Sequence, residues 1–577
     1  MKFAIGKTFV KFLCALSVLC VGNCVWAVDR EAFSITNYDL TLQIDPSQHR
    51  LGARGRITLR NDTSSPQKVA VLQISSSLDW RTIKTGDNAV QFVTQPYASD
   101  IDHTGGLSEA IVTLPSPVTP HATIDLDIGY EGVIALDATR LTRIGTPDEV
   151  ATSTDWDQIS SNFTAIRGAG YVAWYPIATE VANLSEGDSL FEVLARWNAR
   201  ESGANAHLNV AITPKDDEDE VPELILNHPQ CDVAYERMSR AEHYSADCRY
   251  ERLGPDAPAI IIASYSVLER PHINVHYLAG HEVSAANYAD TAEKAATLIA
   301  DWFGAEHEKA QAADLPHDDQ APFESGALLL TPLINSSQAG LSVAHQLTHA
   351  SFFSPRPWIE EGLAHFAQAL YLEEQKGRQA AIDYMSLHRT ALNQIELAAT
   401  TPDAAASQSL ANTVNEELYR SKAMSIWWML RDMIGDSTLK KTIAAYHPDQ
   451  DKDPSYMPRL ISAQAHRDLE WFFNDWIYRD HGLPDFKVES ASARKTVNGA
   501  YMVAVTVANL GSAGAEVPLA VKFKADEVSK RLEVRAKDKA TIRIETPTVP
   551  LEVIVNDGSV PESDTANNTF KVEAPKD

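Results

Sequence analysis

Two neighbouring stretches decide the fold: residues 341–349 run LSVAHQLTH, and residues 357–366 run PWIEEGLAHF. His345 and His349 are four positions apart, so on a helix they lie on one face, at the spacing that lets two imidazoles reach the same zinc ion. Pro357 is typical of a helix start, and glutamate in that helix can supply an oxygen ligand. We therefore predict a metal centre built from two consecutive helices; two surface histidines on an ordinary helix are the alternative.

The two stretches resemble the gluzincin metallopeptidases, specifically the alanyl-aminopeptidase family and its relatives. Their hallmark is H-E-x-x-H followed by a W-L-x-E-G-[FL]-A helix whose glutamate is the third zinc ligand. The resemblance implies Zn²⁺ on His345, His349 and Glu361, and hydrolysis of a peptide bond by zinc-activated water. It also implies that Tyr419, in the run LYRSKA of residues 418–423, donates to the oxyanion. A lone helical tyrosine is otherwise usually a core residue.

The resemblance extends over roughly residues 33–487. The run YDLTL at 38–42 is similar to the start of the family's N-terminal β-domain. The run LEWFFNDWI at 469–477, followed by GLP at 482–484, is similar to the end of its helical domain.

Gln346 is the main departure from the family pattern. It occupies the position of the glutamate that acts as general base, and an amide does not titrate near neutral pH. General-base catalysis commonly contributes about 10²–10⁴-fold, so we expect peptidase activity to be weak or absent. The spacing between His349 and Glu361 is also shorter than in the family, which the ligands can tolerate if they still converge.

A third departure concerns the substrate amine. No G-[AG]-M-E-N sequence precedes the histidine helix, and the corresponding run ESGALLL at 324–330 lacks a glutamate at the matching place. Aminopeptidase specificity is therefore not supported by the sequence.

Two residues beside the predicted ligands are open to interpretation. One step along a helix turns a side chain by about 100°, so Glu360 is expected to be solvated rather than catalytic. His365 lies four positions after Glu361; it is either a partner that orients a ligand or a packing histidine.

Composition sets broader limits. The chain has 577 residues, with 50 Lys+Arg against 78 Asp+Glu and a formal charge of −28. This length predicts several domains, and the acidic balance excludes nucleic acid as a partner. We expect the partner to be a peptide or protein.

The first 27 residues are predicted to be a signal peptide. Lys2, Lys7 and Lys11 precede an apolar run that ends in VWA at 25–27, typical of a cleavage site. We expect an exported, periplasmic or extracellular protein with no transmembrane segment in the mature chain. An uncleaved anchor is disfavoured by the short run, and lipidation at Cys24 is the other alternative.

Export would leave only Cys231 and Cys248 in the mature chain. Two cysteines in an exported protein predict one disulfide. The acidic run at 216–220 is expected to be a solvated turn rather than a calcium site.

Hydropathy patterns predict a multidomain α+β protein: an N-terminal antiparallel β-domain (28–270), a mainly helical domain (271–486) and a C-terminal immunoglobulin-like β-sandwich (487–577). The resemblance implies that the helical domain is a thermolysin-like zinc domain. Alternation predicts β structure over residues 33–135 and further strands at 191–197, 207–212, 224–226, 260–265 and 273–278. Helical spacing predicts helices at 285–303, 339–353, 357–376, 378–398, 415–434 and 466–479. Six short strands are predicted between 503 and 572.

Two functions follow as hypotheses. The first is an exported zinc metallopeptidase with weak or lost activity, and the second is a non-catalytic pseudopeptidase that binds a peptide or an envelope component. A metzincin-type site is disfavoured because position 355, six residues after His349, is proline.

Overall fold

The computed structural model describes residues 28–187, 189–213, 223–226, 231–238, 241–253, 258–333, 339–398, 409–413, 415–479, 482–524 and 526–573. The predicted signal peptide, the acidic run at 216–220 and Cys24 lie outside these residues.

The N-terminal part is built mainly from antiparallel strands whose alternating apolar residues point into one core. The first eight strands are β1 Phe33–Asp45, β2 Arg50–Asn61, β3 Gln67–Ser75, β4 Leu78–Thr85, β5 Asn88–Ala89, β6 Gln91–Ala98, β7 Gly106–Val118 and β8 Thr123–Val133. The next eight are β9 Phe163–Ile166, β10 Asn205–Ile212, β11 Glu223–Leu226, β12 Cys231–Met238, β13 Ala241–Tyr250, β14 Ile260–Ala263, β15 Ser266–Glu269 and β16 Ile273–Tyr277.

An 8-stranded sheet, in the order β12-β13-β10-β1-β2-β8-β4-β5, faces a 3-stranded sheet of β3, β7 and β6. The pairing of β1 with β10 is parallel, whereas its pairing with β2 is antiparallel. A second 3-stranded sheet, β11-β14-β9, extends this region toward the middle of the chain.

Three helices interrupt these strands: α1 Thr139–Thr142, α2 Asp148–Thr154 and α3 Ser189–Glu201. The prediction of a strand at 191–197 is wrong, because this segment lies within α3. Its buried residues are Leu190, Val193, Trp197 and Glu201. Their spacing of three and four is that of a helical face, a pattern that the single alternating stretch had obscured.

The middle of the chain combines helices with a 5-stranded mixed sheet in the order β15-β16-β17-β19-β18. The added strands are β17 Ala310–Asp314, β18 Phe323–Ser325 and β19 Leu328–Thr331. The helices are α4 Glu282–Phe303, α5 Ala339–Ser351, α6 Pro357–Lys376, α7 Arg378–Ser386, α8 Arg389–Ala398, α9 Ala423–Ile434, α10 Asp436–Ala444, α11 Tyr456–Ala465 and α12 Glu470–Phe473.

Two π-helical segments, Glu417–Lys422 and Asn474–Tyr478, adjoin α9 and α12. Short 3₁₀ turns lie at Pro46–Gln48 and Pro448–Gln450. The helix predicted at 378–398 is divided into α7 and α8.

The C-terminal part contains seven strands: β20 Phe486–Lys495, β21 Tyr501–Asn509, β22 Ala515–Phe523, β23 Asp526–Val534, β24 Lys539–Thr546, β25 Pro550–Val555 and β26 Thr569–Lys571. They form a 3-stranded sheet, β20-β21-β24, and a 4-stranded sheet, β23-β22-β25-β26. Their inward side chains share one apolar core with the helices. The immunoglobulin-like assignment and the domain boundaries stay predictions.

Among the residues that the structure describes, no helix has both the length and the apolar character required to cross a bilayer.

Candidate metal centre

Two consecutive helices bring the three predicted ligands together. His345 and His349 lie one turn apart on α5, and Glu361 lies in the first turns of α6, which packs against α5. One ligand atom from each residue lies within 4.8 Å of the others. The short connection after His349 therefore still allows the ligands to converge.

The distances between these atoms fit a metal site. The two Nε2 atoms are 3.1 Å apart, His349 Nε2 is 3.4 Å from Glu361 Oε1, and His345 Nε2 is 3.8 Å from Glu361 Oε2. Two donors that each lie about 2.1 Å from a zinc ion can be separated by up to about 4.2 Å. The imidazole nitrogens of His345 and His349 and the carboxylate of Glu361 face one another, and such acceptor atoms repel unless a proton or a cation lies between them. Nitrogen and carboxylate ligands are those that Zn²⁺ takes in proteins, so this set of donors fits Zn²⁺.

The carboxylates around His349 control its charge in the metal-free protein. Burial opposes protonation of His349, but Glu360 and Glu361 outweigh it and raise its pKa well above the usual range. Burial also opposes ionisation of Glu361, yet His349 and Arg420 hold its pKa well below the usual value. Both groups are therefore paired, and Glu361 is ionised as a ligand must be.

The expectation that Glu360 is solvated is wrong. Its side chain is only 13% exposed, and its Oε1 lies 3.7 Å from Nδ1 of His349. The helix turns Glu360 away from the point where the three predicted ligands meet. Its carboxylate instead faces Nδ1 of His349, the ring nitrogen opposite the one that faces Glu361. A carboxylate in this position orients a ligating histidine.

Gln346 points away from the ligands and into the protein. Its Nε2 donates to the carbonyl oxygens of Gln311 at 2.5 Å and Ala327 at 3.0 Å. Its Oε1 accepts from the hydroxyl of Tyr288 at 3.1 Å. The two carbonyls fix the orientation of the amide, because only its NH₂ group can satisfy them.

Glu324 is the residue that the sequence analysis missed. It lies on β18, at the edge of the mixed sheet, and its Oε2 is 3.0 Å from His345 Nε2. Partial burial works against its ionisation, but His345 lowers the pKa of its carboxyl to about 2. The run ESGALLL thus places a glutamate beside His345, which comparison with G-[AG]-M-E-N did not indicate.

Arg420, rather than Tyr419, contacts the predicted ligands. Its Nε donates to Glu361 Oε2 at 3.0 Å, and its guanidinium also pairs with Glu416. Tyr419 is partly buried against the apolar core, and no hydrogen bond from its hydroxyl to the three ligands occurs among the described residues. The π-helical segment Glu417–Lys422 changes the register of this helix, which the sequence pattern could not show. The oxyanion role of Tyr419 stays a prediction.

His365 packs edge-on against His345, with ring centroids 4.9 Å apart. Burial, together with the charge of His345, lowers the pKa of His365 well below the usual range, so the ring is neutral. Neither of its nitrogens has a hydrogen-bond partner in the part of the chain that the structure describes. These contacts favour the packing role over the ligand-orienting one.

The predicted cysteine pair lies far along the chain from this centre. Cys231 and Cys248 face each other across the β12–β13 ladder, with Cα atoms 4.2 Å apart, and are joined by a disulfide.

Comparison with solved structures identifies similar folds. An M1 zinc metallopeptidase from Deinococcus radiodurans matches with a TM-score of 0.49 at 16% identity, over 78% of this chain and 94% of that chain. A glutamate-to-alanine variant of the M1 zinc metallopeptidase from that organism, bound to a Tyr-Ser-Ala substrate, matches with a TM-score of 0.50, the same identity and the same coverage.

The fold is similar to that of M1 zinc metallopeptidases. No protein-family model matches the sequence, and no curated protein matches it. The likeness to the metallopeptidases is thus one of fold.

Proposed function

We propose that this protein binds one zinc ion through His345, His349 and Glu361 and has weak or no peptidase activity. Bound zinc would supply Lewis-acid activation of water, which is the chemistry of a peptidase. The chain's own residues orient the ligands: Glu360 holds His349, and Arg420 holds Glu361. We also propose export to the periplasm or the extracellular space, in keeping with the N-terminal sequence and the cysteine pair.

The anchoring of Gln346 carries this proposal. A general base must reach the reacting water and must accept a proton. Gln346 does neither, since its amide does not titrate and its three hydrogen bonds are made to protein groups behind the ligands.

The test pairs metal analysis with a broad peptide library. Purified protein should bind one equivalent of zinc, and His349→Ala should abolish binding, while His447→Ala, at an exposed histidine, should leave it intact. Zinc-loaded protein should hydrolyse the peptides at or near background. Robust turnover that a chelator removes would contradict the proposed loss of activity, and the absence of bound zinc would contradict the metal site.

A second candidate is a non-catalytic peptide- or envelope-binding protein. The same observation favours it, because a metal centre without a general base can bind a peptide without cutting it. Peptides that bind the zinc-loaded protein and are recovered uncut would support this function, whereas a library with no binder would oppose it.

A further inference from the structure

A cavity of about 280 Å³ lies between the C-terminal strands and the helices. One wall is the loop that follows β25, at residues 556–568, and the opposite wall is formed by α7, α8 and α9. None of the three predicted metal ligands lines it. Its volume lies close to the lower end of the range of small-molecule sites, about 300–1,000 Å³, so it has room for a small ligand.

Hydrogen bonds hold the loop wall in one conformation. The carboxylate of Glu562 accepts from the side-chain amides of Asn556 and Asn568, each at 2.5 Å, and from the backbone N–H of Phe486 at 3.1 Å. Asn556 Oδ1 in turn accepts from the backbone N–H of Gly558 at 3.0 Å. The wall is therefore preorganised, which lowers the entropic cost of binding a ligand.

Two residues of this wall contain buried polar atoms that have no partner among the described residues, namely Asn568 Oδ1 and Ser559 Oγ. The orientation of the Asn568 amide is fixed, because its NH₂ group must face the carboxylate of Glu562. Its oxygen is therefore left as an acceptor. Buried acceptors are normally hydrogen-bonded, and the adjoining cavity is the space from which a donor can come.

The lining also contains a cation and an anion that can bind groups of opposite charge. Arg389, at the start of α8, is exposed, and its guanidinium pairs with no residue in the described part of the chain. Asp557 is 38% exposed, and its Oδ2 lies 3.8 Å from Nε of Arg378, beyond hydrogen-bond distance. The third charged residue, Glu562, already accepts three hydrogen bonds. The free charges thus match a ligand that carries both an ammonium and a carboxylate.

Apolar side chains line the same cavity. They are Met385 and Leu392 on the helical wall and Ile554, Val560 and Pro561 on the opposite wall. A ligand with an aliphatic side chain would bury apolar surface against both walls.

We propose that this cavity binds a free amino acid or a dipeptide with apolar side chains, at a site separate from the metal centre. The ammonium group would face Asp557 and Asn568, and the carboxylate would face Arg389. A zwitterion satisfies both free charges and supplies the donor that Asn568 lacks, whereas a sugar or an acyl chain would leave Arg389 and Asp557 unpaired.

The test is calorimetric titration of the purified protein with leucine and, separately, with Ala-Leu. At least one of them should bind at millimolar concentration or below. Its N-acetyl and C-terminal amide forms should each bind at least about tenfold more weakly, because each lacks one charge-assisted hydrogen bond.

Variants locate the ligand. Arg389→Gln should weaken binding at least about tenfold, and Ser386→Trp, at an exposed residue of the helical wall, should abolish it by filling the cavity. Arg54→Gln, at an exposed arginine of β2, is the matched control and should bind like the wild type. His349→Ala should also retain binding, because the cavity does not depend on the metal.

Three outcomes would overturn the inference. If neither ligand binds at millimolar concentration, the cavity holds water only. Binding that is lost in His349→Ala and kept in Arg389→Gln would place the ligand at the metal centre. Blocked ligands that bind as tightly as the free ones would exclude a zwitterion site. Circular dichroism of each variant verifies that it is folded.

Discussion

The amide nitrogen of Gln346 donates to two backbone carbonyls, one in β17 and one just before β19. An ionised glutamate has no N–H to donate, so it would direct negative oxygens at those two carbonyls. Position 346 is therefore adapted to glutamine.

We predict that Gln346→Glu gains no peptidase activity and unfolds more easily. Loss of the two donated bonds should lower the free energy of unfolding by about 1–3 kcal/mol at neutral pH. The new carboxyl should have a raised pKa in the folded protein, so the deficit should shrink in acid and grow as pH rises. Urea denaturation at several pH values measures this, with exposed Gln375→Glu as control. A gain of zinc-dependent turnover would contradict it.

The ring of His365 packs against that of His345. We predict that His365→Phe leaves the zinc affinity of the candidate metal centre unchanged. A neutral, unpartnered imidazole contributes mainly packing against His345, which a phenyl ring can reproduce. The zinc affinity of the variant should be less than about tenfold below that of the wild type, because loss of a side chain that orients a ligand typically weakens metal binding by about tenfold or more. Chelator competition measures it, and a larger loss would assign His365 a polar role.

Among the elements, the histidine helix and the glutamate helix were predictable because their periodicity and proline start are local signals. The π-helical register at Arg420 was not, because it depends on packing against α6 rather than on residue type. Glu324 was missed for a related reason. A three-residue edge strand has almost no sequence signature, and its place beside His345 is set by contacts with residues more than 150 positions earlier.

A buried cation lies beside the strand that carries Glu324, since the Arg167 guanidinium is 5.6 Å from the ring centroid of Phe323. Arg167 pairs with Asp157 at 2.6 Å, and both side chains are almost fully buried. We predict that Arg167→Met lowers the free energy of unfolding by roughly 3–5 kcal/mol, because it leaves a buried charge without its partner. Adding Asp157→Asn should recover part of the loss. Denaturation of the two variants measures this, and equal losses would refute it.

The β12–β13 hairpin depends on its disulfide. Cys231 and Cys248 are 17 positions apart, so the cross-link should restrict the unfolded chain by about 3 kcal/mol. We predict that the double Cys→Ser variant loses about that much stability in chemical denaturation. If a reducing agent lowers the stability of the wild type by the same amount, the loss is due to the disulfide bond itself. If neither the variant nor the reduced wild type loses stability, the prediction is refuted.

For the whole molecule, the buried acid Glu201 should contribute to the pH dependence of stability. Burial raises the pKa of Glu201 to about 8, while the backbone N–H of Ile35 donates to its carboxyl at 2.8 Å. Because this pKa is raised, the stabilisation is complete below the unfolded-state value near 4.3 and is lost as pH rises from there through about 8. Each unit of difference corresponds to about 1.4 kcal/mol.

We predict that Glu201→Gln flattens the fall in stability between about pH 5 and pH 8. The free energy of unfolding, measured in urea across this range, should decline for the wild type and stay more nearly constant for the variant. Glu192→Gln, at an exposed residue of the same helix, is the control. An identical slope in wild type and Glu201→Gln would contradict the assignment.

The contact between Tyr171 and Phe323 links the β-rich N-terminal part to the strand beside the metal centre. An ion bound there would experience any change in how those two parts of the chain fit together. Its exchange rate and its spectrum would then report on docking between them. A zinc ion bound at this site would serve as a spectroscopic reporter of tertiary assembly.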